Sequence, residues 1–311
     1  MDEYELLELE LRDFTDRPHV VACNSGTSAL HLALEALQLS PGSSVAVPAY
    51  TMVAVPRAVV LAGHVPVFFE DVPPRGCSAA IIAHVYGRQE RADWPHIPFV
   101  IEDMAELHGC KPYPNTVAAC WSFYRNKVVH GEEGGCVAFH DATLANYTRK
   151  LRSLGFTEAH DYLHIPRGHN YRLANTLAHL IRNSLAEVDA NLVSRQVVEA
   201  WYDRYCPSNW HQPRRDSVWV YDVRIPGQTK EEQRERVLSL NEAGIAARQG
   251  FKPLYWSAEF AKYAVHCPQA EAAAHEVLYL PVSPHQSEAS CERAMRLLKS
   301  YVSPRKDSAS G

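Results

Sequence analysis

Short runs of β-branched and small apolar residues alternate with helical periodicity through the first half of the chain, and no other feature limits the fold as strongly. Val20-Val21-Ala22 ends at Asn24-Ser25-Gly26, and a helix follows with Leu30, Leu34 and Leu37 on one face. Further strands are expected at Ser44–Pro48, His64–Phe69, Ala79–His84, Pro98–Asp103, Val117–Phe123 and Gly135–Phe139. A helix from about Asp141 to Leu154 has Asp141 as its N-cap and Gly155 just past its end. Strands and helices in this order pack as a mostly parallel sheet between helices, an α/β fold. A long helical stretch, Leu173 to Tyr205, then leads into a strand (Ser217–Ile225), a helix (Thr229–Ala243) opened by a Thr229/Glu232 capping box, and a last helix (Glu288–Val302). The division expected is a large domain over residues 1–185, a smaller C-terminal α+β domain over 186–302, and a polar, disordered tail over 303–311.

Composition narrows the class. With 31 Lys and Arg against 36 Asp and Glu, the formal net charge is −5, which argues against a nucleic-acid binder. The chain is 46% apolar and 22% charged, as in an ordinary soluble globular protein. The most apolar region, Val45 to Phe69, is broken by Pro48, Pro56, Arg57 and Pro66, so no membrane span is expected. MDEYELLELELRDF at the N-terminus is acidic and amphipathic, unlike a secretory signal. Eight scattered cysteines without a CxxC pair, and 16 histidines spread as thinly, carry no metal signature. They read as reduced, buried thiols of a cytoplasmic protein.

Three local features carry chemistry. Asn24-Ser25-Gly26-Thr27-Ser28 is a hydroxyl-rich turn from strand into helix, suited to a phosphate at the helix's positive end. Alone, it is equally the form of a plain capped turn. Val100-Ile101-Glu102-Asp103 sets two carboxylates at a strand's C-terminal end, where open α/β sheets bind ligands. A carboxylate there can pair with a protonated ring nitrogen, though a solvated strand end has the same sequence. Ser122-Phe123-Tyr124-Arg125-Asn126-Lys127 runs from an apolar strand into a loop, and a lysine so placed can form a Schiff base with an aldehyde cofactor. A single loop lysine is ordinarily just exposed; the three features in this order outweigh that.

With these residues in view, the chain resembles the DegT/DnrJ/EryC1/StrS family of pyridoxal-phosphate-dependent sugar aminotransferases, which have the aspartate aminotransferase type of fold (fold type I). The resemblance runs from about Leu6 to Tyr301 through CNSGTSALHLAL, VPAYT, HVYG, IEDMAELHG, SFYRNK, EGG, HNYRLAN and LYLPVSP. It implies pyridoxal 5'-phosphate as cofactor, held as a Schiff base by Lys127, which also shuttles protons. Asp103 matches the carboxylate that keeps the pyridine nitrogen protonated. Thr27 and Ser28 match the phosphate-binding pair, and Ser122 a further hydroxyl directed at the phosphate. Glu106 matches a Gln or Glu near the ring oxygen. Asn170 and Arg172 match a segment that reaches across an interface to the partner's phosphate, which implies a homodimer with shared active sites.

The resemblance implies an amino donor, glutamate by family habit, and a keto-sugar acceptor, nucleotide-linked in the family. Three departures bear on it. Met52 stands where an aromatic usually encloses the ring, and Glu132 where glycine is usual. The segment between Phe69 and His84 and the lead-in to the first helix are shortened, and such segments carry specificity. The compacted substrate region leaves a decarboxylase or lyase on an amino acid or amino-acid-modified substrate as the alternative. A non-catalytic binding or regulatory relative is disfavoured by the joint presence of Lys127, Asp103 and the phosphate turn. Arg248 to Tyr255 is expected at the substrate cleft, His84-Val85-Tyr86-Gly87 reads equally as a core strand end, and the six tryptophans read as packing residues.

Overall fold

A computed structural model describes residues 2–158 and 162–300. The tail expected over 303–311 and the end of the last expected helix lie outside the described residues. The first helix, α1 (Glu3–Thr15), is opened by a capping box between Asp2 and Glu5 and buries Leu7 and Leu11, one turn apart. Strand β1 (His19–Cys23) feeds α2 (Gly26–Ala36), capped by Ser25. Then come β2 (Ser44–Pro48), α3 (Ala54–Leu61), β3 (Val65–Phe69), β4 (Ala79–Ala83), β5 (Val100–Asp103), β6 (Ala118–Ser122) and β7 (Gly135–Phe139). Helix α4 (Ala142–Arg152) starts where the Asp141 carboxylate accepts from the Thr143 amide at 2.6 Å.

The seven strands form one sheet in the order β1-β7-β6-β5-β4-β2-β3. Strands β3, β2, β4, β5 and β6 run parallel, and β7 lies antiparallel between β6 and β1. This is the mostly parallel α/β sheet expected. Alternate residues serve opposite faces. In and after β6, Cys120 packs with Leu30, Leu34, Val47 and Ile101 under α2 and α3. Trp121 and Phe123 pack with Leu7, Leu11 and Ile181 on the other side.

The expected single helix Leu173–Tyr205 is two helices, α5 (Asn175–Ala186) and α6 (Val188–Tyr205). Glu187 leaves helical geometry (φ −103°, ψ 6°), and its amide turns to the Ser184 carbonyl at 3.3 Å, so the chain bends there. A three-stranded antiparallel sheet follows, β8 (Tyr221–Arg224), β9 (Arg248–Gln249) and β10 (Val277–Leu280), with β10 in the middle. Helices α7 (Lys230–Glu242) and α9 (Glu288–Ser300) pack with α6 against it through Val198, Tyr202, Leu240, Leu278, Met295 and Leu298. The Thr229/Glu232 capping box is present at the start of α7. Helix α8 (Pro268–Glu276) precedes β10, and Leu254, Phe260 and Ala270 before and within it return to the core of the large sheet.

Strand β8 is shorter than expected because its lead-in is held elsewhere. The Asp216 and Ser217 amides both donate to the Gly87 carbonyl at 2.9 Å. A side chain at Gly87, which has φ +76°, would meet the Ser217 carbonyl at 1.8 Å, so the contact requires glycine. Asp222 of β8 is buried between Arg88 (3.0 Å) and Arg215 (2.6 Å), joining the small sheet to the segment after β4. Among the described residues no helix is long and apolar enough to cross a membrane.

Candidate active site

The C-terminal ends of β2, β4, β5 and β6 and the start of α2 meet around a cavity of about 520 Å³, the size of a small-molecule site. Each strand delivers residues at or beyond its last ladder pair: Thr51 and Met52 after β2, His84 after β4, Asp103 and Glu106 at and after β5, Ser122 and Lys127 at and after β6. The helix contributes Ser25, Gly26 and Thr27. Parallel strands put all these ends on one edge, which is why residues up to a hundred positions apart converge.

At one end stands the first turn of α2. The Ser25 hydroxyl oxygen accepts from the Ser28 amide at 3.1 Å, and the amides of Gly26 and Thr27 have no acceptor within the helix. A Cβ at Gly26 would lie 2.7 Å from that of Ser122, so glycine lets Ser122 sit against the helix start. Thr27 and Ser122 thus share the positive end of a helix, a cradle for phosphate. The Ser28 hydroxyl instead donates to Asn24 Oδ1 at 2.7 Å and helps to build the turn; Ser28 does not line the cavity.

The two strand-end carboxylates separate. Glu102 is fully buried, accepting from the Thr116 hydroxyl (2.5 Å) and the Tyr113 amide (2.9 Å) and facing His84 Nε2 at 3.0 Å. His84 Nδ1 accepts from the Glu90 amide at 3.0 Å, so Nε2 carries the proton toward Glu102. Asp103 faces the cavity, where the Ala105 amide donates to its Oδ1 at 3.0 Å. Burial raises its pKa above the usual carboxylate range, with the Ala105 bond, Lys127 and His84 opposing. A carboxylate so placed is stabilised by a cation entering the cavity.

Lys127 follows a turn closed by its own amide donating to the Tyr124 carbonyl at 2.8 Å. Its Nζ lies 4.0 Å from the centre of the Trp219 ring and 3.7 Å from Glu106 Oε1. Burial lowers its pKa, opposed by Glu106 and Asp103, so the neutral, nucleophilic amine becomes more accessible. In the same loop Glu132 adopts φ +69°, in the left-handed region. That conformation explains why glycine suits this position and puts about 1 kcal/mol of strain beside the lysine.

Glu106 accepts from the Tyr86 amide at 2.8 Å and is pushed up to about 7 by burial, with Lys127 and that amide acting the other way. A carboxyl whose folded pKa exceeds its unfolded one holds an extra proton in the folded state between the two values. Folding stability therefore falls as pH rises from 4.5 to about 7. Melting of cofactor-free protein across this interval should show that loss, and Glu106→Gln should remove its share; the same slope in the variant would assign the loss to another group.

Met52 lines the cavity with half its surface exposed. Asn170 and Arg172 are not brought to this cavity; they line a second depression with Tyr4, Arg152 and Asn175. The small sheet closes the cavity with Trp219, Arg248, Phe251 and Tyr279. Arg248 and Phe251 come from the stretch expected at the cleft. Tyr279 lies in the LYLPVSP stretch but takes no site role from the sequence, and Trp219 carries no local signal: it arrives because its chain is held at Gly87, and its Nε1 donates to the Asn126 carbonyl at 2.9 Å. The donor set fits a compact aromatic cofactor with a phosphate at one end and a basic ring nitrogen at the other.

The family model of the DegT/DnrJ/EryC1/StrS aminotransferase family matches residues 2–82 and 78–299. The GDP-perosamine synthase of Caulobacter vibrioides is 30% identical, with 94% of this chain and 88% of that protein aligned. The dTDP-3-amino-3,4,6-trideoxy-alpha-D-glucose transaminase of Streptomyces venezuelae is also 30% identical, over 96% of this chain and 87% of the relative. Among solved structures, DesV of S. venezuelae, in complex with a ketimine intermediate, superposes with a TM-score of 0.84 at 27% identity, covering 96% of this chain and 89% of that one.

Proposed function

The chain belongs to the DegT/DnrJ/EryC1/StrS aminotransferase family, and from that premise we propose that it is a pyridoxal-phosphate-dependent enzyme that moves an amino group from glutamate to a nucleotide-linked keto sugar. The observation that carries this reading is the convergence of Thr27, Asp103, Ser122 and Lys127 on one cavity. Bound there, pyridoxal phosphate supplies an electron sink and a carbonyl that holds the amino group between two substrates.

The chain's own residues do the rest. The α2 amides with Thr27 and Ser122 hold the phosphate, and Ser28 supports them by fixing the turn. Asp103 holds a proton on the ring nitrogen. Lys127 Nζ would hold the cofactor's carbonyl carbon, and as a free amine it would take a proton from the substrate's α-carbon and deliver it across the shared nitrogen, two bonds away. Glu106 supplies a counter-charge to that amine near the ring oxygen, and Met52 packs as a soft, polarizable wall. Asn170 and Arg172 act on the partner's phosphate in a homodimer, consistent with their place outside their own chain's cavity. Residues 1–185 act as the cofactor-binding domain and 186–302 as the part that closes on substrate. The eight cysteines, none in a disulfide, favour a cytoplasmic setting.

Ping-pong transfer makes a sharp demand. Glutamate alone should bleach the cofactor's visible band and yield about one equivalent of 2-oxoglutarate per site, with no further release until a keto acceptor is added. Catalytic release of carbon dioxide from a single amino compound would replace the aminotransferase reading with a decarboxylase.

A further inference from the structure

Away from the cavity, two imidazoles and a carboxylate converge where the loop before α5 crosses the back of α2. His31 and Glu35 lie one turn apart on α2, and His169 comes from the loop. Their ligand atoms all fall within 4.8 Å of one another. Glu35 Oε2 is 2.6 Å from His169 Nε2, and Oε1 is 3.6 Å from His31 Nε2. His31 and Glu35 are 3% and 7% exposed, and His31 Nε2 has no hydrogen-bond partner. A buried nitrogen left without a partner is a cost that a bound ligand would remove. Nothing in the transfer chemistry uses it.

We infer that His31, Glu35 and His169 form a three-ligand site for a divalent transition ion of the zinc class. Two imidazoles and one carboxylate suit Zn²⁺ or Co²⁺, with water as fourth ligand. A tetrahedral site at zinc–ligand distances spaces its donors by about 3.3 Å. Closing the widest pair by up to about 1.5 Å and opening the 2.6 Å Glu35–His169 pair slightly reaches that spacing. The surroundings agree. The Tyr171 hydroxyl lies 3.1 Å from His31 Nδ1 and can accept its proton, leaving Nε2 free to ligate. The His169 ring stacks on Tyr171 at 4.8 Å and is partly exposed, giving an ion and its water a way in. The ion would clip the loop to α2 next to Asn170 and Arg172, without touching the cavity. The sequence hides the site because His169 is remote from the His31/Glu35 pair.

The test uses chelator-treated holoenzyme titrated with CoCl₂ and with ZnCl₂. One equivalent of Co²⁺ per chain should develop the intense visible bands of a tetrahedral site, and Zn²⁺ should displace it and raise Tm. Glu35→Gln and His169→Gln, with folding checked by circular dichroism, should weaken binding at least about 100-fold; Tyr171→Phe should weaken it about 10- to 100-fold. Failure of the wild type to take up one equivalent at micromolar metal would overturn the inference. Uptake undiminished in the Glu35 and His169 variants would do the same, by placing the metal elsewhere.

Discussion

Lys127→Ala should lose transamination by at least about 10³-fold, the order expected when a positioned acid–base group disappears, with the loss of its role as nucleophile added. The variant should still fold. The turn that carries Lys127 is held by its backbone amide on Tyr124 and by the Gly131 amide on the Phe123 carbonyl at 2.9 Å, and neither bond involves the amine. What alanine removes is the charge between Trp219 and Glu106. Borohydride reduction of the wild type followed by peptide mapping should place a pyridoxyl group on Lys127, and the variant should carry none. A label on another lysine, or turnover near wild type in the variant, would remove Lys127 from the chemistry. Burial makes it the apt lysine: lowering its pKa from the ordinary lysine value favours the neutral amine that can attack and accept a proton.

What could be read from the chain was what lies next to a strand end. Ser25 to Thr27, Asp103 and Lys127 each sit within a few residues of an apolar run, so edge and face follow once the strands are located. Two losses show the limit of that logic. Ser28 has the residue type of a phosphate ligand, yet its hydroxyl meets Asn24 first, a local competition that residue type does not disclose. Trp219 reads as packing because nothing beside it marks a site. Its approach to Lys127 is set by Gly87 and by the buried Arg88–Asp222–Arg215 group, long-range contacts with no local periodicity. The bend at Glu187 has the same origin: the pattern from Leu173 to Tyr205 supports a helix throughout, and the packing of α5 on α1 and of α6 on the small sheet turns one helix into two.

Asp103 separates stability from activity, with opposite signs. Asparagine is nearly isosteric with aspartate, and its Oδ1 can keep the 3.0 Å bond from the Ala105 amide, so Asp103→Asn should leave the fold intact. The wild-type carboxyl has a folded pKa raised above 3.8 by burial. It therefore binds its proton more tightly folded than unfolded, and it subtracts stability as pH rises from 3.8 through the folded value. Removing the ionisation lifts that penalty, so cofactor-free Asp103→Asn should melt at or above the wild-type temperature at pH 7. Activity should move the other way. Without a buried anion opposite the ring nitrogen, the proton there is no longer held, and the charge developing in the transition state loses its stabiliser; about 10²–10³-fold in kcat is the usual scale of such a loss. Neighbouring Glu102 sharpens the comparison, since it is also a strand-end carboxylate but points into the His84–Thr116 network. Glu102→Gln should cost stability first, by disturbing buried hydrogen bonds. A variant of Asp103 that is less stable than wild type and fully active would mean that this carboxylate, too, is only a packing residue.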